Sequence, residues 1–265
     1  MDISFWFKLA LSFIVGSLWV ILTTVSAEHF GSKIGGLIGG LPSTVVIALF
    51  FIGYTQTPLI AAQATTIMPL AQGLNGLFVL SFMLFSRWGL GLALTGSLAI
   101  WLIQSTILYL SHIQIFWISL IGWLLLLLVC ILVLLKWWKI PSTIKLEVSY
   151  PASQILWRAL FGGTVIALAV LMGKLGGTLL GGIFSSFPAI FLTTLVITYR
   201  SGGIDFSRAV GKSLLISGLI NVPLYEIVVR YLYPQLGLVA GTVLGILFTL
   251  ASGYLTFMII RAGLP

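Results

Sequence analysis

Apolar residues run through this chain in blocks of about 20, the length that crosses a bilayer core, and short clusters of charge, glycine and proline separate the blocks. The pattern predicts helical spans near residues 5–25, 33–54, 66–85, 88–110, 115–136, 155–173, 178–199, 211–232 and 236–260. Thr57 to Ala64 reads as an interfacial lead-in to the third span. The expected fold is all-α: a polytopic transmembrane helical bundle of about nine spans. The one long polar connection, Lys136 to Gln154, is too short to fold alone.

Composition strengthens this reading, because 60% hydrophobic and only 7% charged residues over 265 positions exclude an ordinary soluble protein. In a soluble chain a net charge of +8 would suggest nucleic acid. Here it is a topology signal, and no nucleic-acid partner is expected. With the Lys136–Gln154 loop in the cytoplasm, Lys33, Arg87, Lys136, Lys139, Lys145, Arg158, Arg200, Arg208, Lys212 and Arg261 fall inside, and only Lys8, Lys174 and Arg230 outside. The bias predicts a multi-pass protein of the cell membrane with its N-terminus out and its C-terminus in. Trp88, Trp137, Trp138, Trp157, Tyr199, Tyr231 and Tyr233 fall near span ends, where aromatic belts sit. Val25-Ser26-Ala27 resembles a signal-peptide cleavage site, but Asp2 stands where such peptides carry a basic start.

An offset of 146 residues aligns the two halves without gaps, pairing Pro42 with Pro188, Asn75 with Asn221, Gly16 with Gly162, and Gly35-Gly36 with Gly181-Gly182. Leucine matches mean little in so apolar a chain, whereas Asn75 and Asn221 are its only asparagines. Five spans separate the two starts, so the second copy is inverted in the membrane. The expected organisation is repeat A (1–112, four spans), a connector span with its cytoplasmic loop (113–150), and inverted repeat B (151–265). This arrangement recurs among secondary transporters.

The stretch GGTLLGGIFSSFPAI followed by ISGLINVPLYEIVV, within residues 176–234, resembles the GlpM-like small bacterial membrane proteins, and GGLIGGLPST echoes it in the first half. The resemblance implies a small helical membrane unit with no settled activity. It transfers no functional residues.

Candidate chemistry gathers at the span centres. Pro42 and Pro188 each lie mid-span, and proline removes the donor to the carbonyl four residues earlier, leaving those of Ile38 and Phe184 to find other partners. Asn75 and Asn221 fall at the same expected depth, with Gln72, Ser43, Thr44, Ser185 and Ser186 nearby. Together they predict a polar midplane site on the pseudo-two-fold axis. The alternative role for the two asparagines is interhelical hydrogen bonding, worth about 0.6 kcal/mol and up to 1–2. Glu226 is the ionisable group placed deepest. It suits cation or proton binding, or an i,i+4 pair with Arg230. Asp205, with Arg200, Arg208 and Lys212, reads as a solvated cytoplasmic loop, a gating role being the alternative.

One cysteine, Cys130, and two distant histidines, His29 and His112, assemble no disulfide or metal cluster, and no cofactor is expected. No G-x-S-x-G, H-E-x-x-H or P-loop motif is present, so an enzyme is not expected. The reading is a transporter of the secondary active type, with membrane lipids and a small-molecule or ion cargo as partners and a homodimer left open. A channel or lipid-translocating protein is the alternative, followed by a non-transporting assembly subunit. The core holds no fixed positive charge, which mildly favours neutral, cationic or zwitterionic cargo, although helix N-termini also suit a carboxylate.

Overall fold

The computed structural model describes residues 2–29, 41–140 and 151–263. Ile38, Lys33, Lys145 and the glycines between 31 and 40 lie outside them. Nearly all of the described residues are helical, with no strand among them. The helices are α1 (Ile3–His29), α2 (Ser43–Thr55), α3 (Pro58–Ala64), α4 (Met68–Phe85), α5 (Leu90–Leu110), α6 (Phe116–Leu132), α7 (Ala152–Leu175), α8 (Gly177–Ser185) and α9 (Ala189–Gly263). Among the described residues, six helical stretches are long and apolar enough to cross a membrane.

Helix boundaries follow local chemistry. Thr57 caps α3, its hydroxyl accepting from the Ile60 amide at 3.2 Å, with Pro58 at the first helical position. This makes the lead-in to α4 a separate short helix. Pro42 precedes α2, and a helix breaks at Pro188, which lies between α8 and α9. As a straight rod the 75 residues of α9 would be about 110 Å long. Instead, Gly203 (φ 76°) and Gly237 (φ 75°) interrupt it, taking left-handed conformations that glycine tolerates. The chain doubles back at both. Gly218 lies against Phe191 and Gly211 against Leu195 about the first bend; Gly245 lies against Tyr225 about the second. Residues 189–202, 204–236 and 238–263 are thus three packed segments. Arg208 and Lys212, expected in a solvated loop, are instead helical. The Arg208 guanidinium donates to the Met83 carbonyl at 2.9 Å and Lys212 Nζ to that of Ile140 at 2.8 Å.

Helices α1 and α7 form the most extensive helix pair, while α4 is enclosed by α5, α6 and α9. Gly16 sits against Ile166, Gly162 against Val20, and Gly163 against Ser17. These small residues let α1 and α7 approach closely, the usual basis of helix contact in lipid. Outward faces of α5 and α6 remain apolar and exposed, including Leu102, Ile103, Ile121 and Leu125.

Candidate functional site

The start of α2 meets the break between α8 and α9. A cavity is lined by Leu41, Pro42, Ser43, Thr44 and Val45 at the first and by Ser186, Phe187, Pro188, Ala189, Ile190 and Phe191 at the second. Gln72 and Asn75 of α4, with Gly218 and Val222 of α9, close it. The constricted interior has room for about two water molecules. Of these fifteen residues, twelve form six pairs separated by 146 positions, including Pro42 with Pro188 and Gln72 with Gly218.

One residue organises the polar wall. Asn75 is 1% exposed; its Nδ2 donates to the Ser186 carbonyl and, at 2.9 Å, to Gln72 Oε1. Gln72 sits one turn before Asn75 on the same helix face, and its Nε2 reaches the Gly218 carbonyl at 3.5 Å. Because a backbone carbonyl only accepts, the Ser186 contact fixes which end of the Asn75 amide is the donor. Asn75 Oδ1 is consequently left as an acceptor, and it has no partner among the described residues.

Several residues expected at this site lie elsewhere. Asn221 does not line the cavity. Its Nδ2 donates to Ser217 Oγ at 3.1 Å, and its Oδ1 accepts from Ser252 Oγ at 3.0 Å, tying the last two segments of α9 together. Phe184 is absent from the lining, and its carbonyl is not left open: the Phe187 amide donates to it at 3.1 Å, because the chain turns at Pro188 instead of continuing as a kinked helix. Ser185 points back along α8 to the Gly181 carbonyl at 2.7 Å. Ile38 lies outside the described residues. The signals that sequence reading missed are Gly218, visible only as the offset partner of Gln72, and the Ser43-Thr44 pair as the start of a helix.

Glu226 is fully buried, and neither carboxylate oxygen has a partner among the described residues. The expected pair with Arg230 does not form. The Arg230 guanidinium donates instead to Thr66 Oγ1 at 2.9 Å and to the Ala62 carbonyl at 3.3 Å, and lies over the Phe116 ring at 4.3 Å. Glu226 follows the cavity-lining Val222 by one helical turn, about 6 Å along the same face.

Asn221→Ala should cost about 1 kcal/mol of stability, the scale of an interhelical hydrogen bond in a membrane bundle. A thermal unfolding series in detergent would reveal it, and a loss above about 3 kcal/mol would show that Asn221 does more than join two segments. No family model, no curated protein and no solved structure matches this chain, so the likeness of residues 176–234 to the GlpM-like proteins rests on those residues alone.

Proposed function

We propose that this chain is a secondary active transporter of the cell membrane, with nine spans, its N-terminus outside and its C-terminus inside, that passes a small cargo through the cavity between Pro42 and Pro188. The observation that carries the reading is the pairing of cavity residues at the 146-residue offset. Under a two-fold relation, equivalent residues meet only near the axis, and contacts away from it are reciprocal. Both signatures are present. Ser17 meets Gly163 and Gln72 meets Gly218, each pair separated by 146 positions. Gly16 meets Ile166 while Gly162 meets Val20, the same contact with the halves exchanged.

This supports inverted repeats whose axis runs through the cavity, the placement in which tilting one repeat against the other opens a site to alternate sides. Nine spans follow when α2 is counted as one and α9 is taken as three passes bent at Gly203 and Gly237, the first of them continuing α8. Glu226, one turn beyond the cavity wall, is the candidate coupling group. The exposed leucines and isoleucines of α5 and α6 face lipid in this reading, and the protein performs no catalysis.

The test uses Cys130→Ala protein, whose own buried thiol has been removed, carrying Asn75→Cys or Asn221→Cys in sealed vesicles of each orientation. A membrane-impermeant thiol reagent is expected to modify the Asn75→Cys protein and spare the Asn221→Cys protein. Simultaneous access from both faces would indicate a channel. Failure of the Asn75→Cys protein to react from either face, in folded protein, overturns the pathway.

A further inference from the structure

We infer that the cavity takes a small oxyanion carrying a hydrogen-bond donor of its own, a hydroxylated carboxylate of the size of glycolate. The inference rests on the transport reading and names its cargo class, reversing the preference for neutral, cationic or zwitterionic cargo that the sequence suggested; no lysine or arginine lines the cavity.

Two helices begin at the cavity. The first turn of α2 contributes Ser43, Thr44 and Val45 to the wall, and the first turn of α9 contributes Ala189, Ile190 and Phe191. A helix leaves four N–H groups unpaired at its start. Here Ser43 donates to the Leu41 carbonyl, Val46 to that of Pro42, Ala189 to that of Phe187 and Leu192 to that of Pro188. Among the described residues this leaves the amides of Thr44, Val45, Ile190 and Phe191 as donors. Proline precedes each helix and offers no side-chain cap, and neither first turn holds an acidic residue. Each N-terminus carries about half a positive charge, so the pair supplies about one unit, matched to a monoanion without any lysine or arginine.

Asn75 adds an independent requirement. It lines the same cavity, is 1% exposed, and commits its Nδ2 to two oxygens while Oδ1 stays without a partner. A halide or simple carboxylate satisfies the amides and leaves this acceptor empty. A cation satisfies the acceptor and opposes both helix dipoles. A carboxylate bearing a hydroxyl answers both, with the carboxylate toward the helix starts and the hydroxyl donating to Asn75. The narrow interior keeps the cargo small.

The experiment places Ser43→Cys in Cys130→Ala protein, reconstituted in liposomes, and follows labelling by an impermeant methanethiosulfonate reagent. Sodium glycolate should slow labelling in proportion to occupancy, about tenfold at ten times its half-protecting concentration. Acetate should protect less well, and neutral glycolamide and tetramethylammonium not at all. Adding Asn75→Asp, which sets a negative charge where the hydroxyl would donate, should remove the protection by glycolate. Ile190→Pro deletes one donor amide in a first turn that tolerates proline, and should weaken protection while labelling persists. Labelling that proceeds unprotected by glycolate, or that glycolamide or the cation blocks, overturns the cargo class and leaves the pathway standing. No labelling at all in folded protein overturns the pathway and this inference with it.

Discussion

Glu226→Met is expected to raise the thermal stability of the protein while abolishing concentrative transport. The residue is completely buried, and both carboxylate oxygens lack partners among the described residues. A polar group buried without a hydrogen bond costs about 1–3 kcal/mol in proteins. Methionine has a similar length and volume and no unmet polar atom, so the substitution returns that cost without opening a cavity. A gain of this size corresponds to an increase in Tm of roughly 2–4 °C per kcal/mol for a chain of this size. Glu226→Gln separates the two effects. It retains an unpaired polar group, giving no comparable gain, yet cannot exchange a proton and should leave flux that no longer responds to a pH gradient. Thermal unfolding in detergent and uptake of labelled glycolate into liposomes with an imposed pH gradient provide the two measurements. A Glu226→Met protein that is less stable than the original would show that the carboxylate holds the fold together and is not reserved for transport.

Gly182→Val should eliminate folded protein. Gly182 packs against the Ala64 carbonyl, Ile67 and Met68, and the adjacent Gly181 packs against the backbone of Gly173. The half-helix α8 is thus wedged between α7 and the joint of α3 and α4. A Cβ on Gly182 would meet the Ala64 carbonyl, a backbone atom that cannot rotate aside as a side-chain tip would. Overpacking typically costs 1–3 kcal/mol and occasionally more. The higher end applies here, because α8 delivers Ser186, Phe187 and Pro188 to the cavity and has no room to retreat. Gly91→Ala is the control, since a Cβ there meets nothing within 4 Å, and removing a helical glycine should stabilise by about 0.5–1 kcal/mol. Size-exclusion chromatography of the purified variants would show a monodisperse peak for Gly91→Ala and aggregate for Gly182→Val. A well-behaved Gly182→Val protein would mean that α8 does not pack this closely.

The helical class, most helix positions and the helix break at Pro188 were legible along the chain, because each depends on local properties: the length of an apolar run or a missing amide hydrogen. The pairing of Gln72 with Asn75 was legible for the same reason, since three-residue spacing puts both on one face of α4. Helical periodicity settles which residues share a face but not which neighbour covers it, and the rest of the site turned on that second question. The two asparagines, alike in sequence, differ because the chain beyond Gly237 folds back and brings Ser252 to Asn221, whereas Asn75 meets the carbonyl of Ser186 at the end of the broken helix. Arg230, four residues from Glu226, finds nearer oxygens at Ala62 and Thr66, so the ion pair suggested by spacing is absent and the carboxylate is isolated. The sequence alone determined that this chain is helical, with stretches long and apolar enough to cross a membrane and a proline just before each of two helix starts. Only tertiary packing decided that the two helix starts line one cavity with Asn75, because that meeting depends on contacts between segments 146 residues apart.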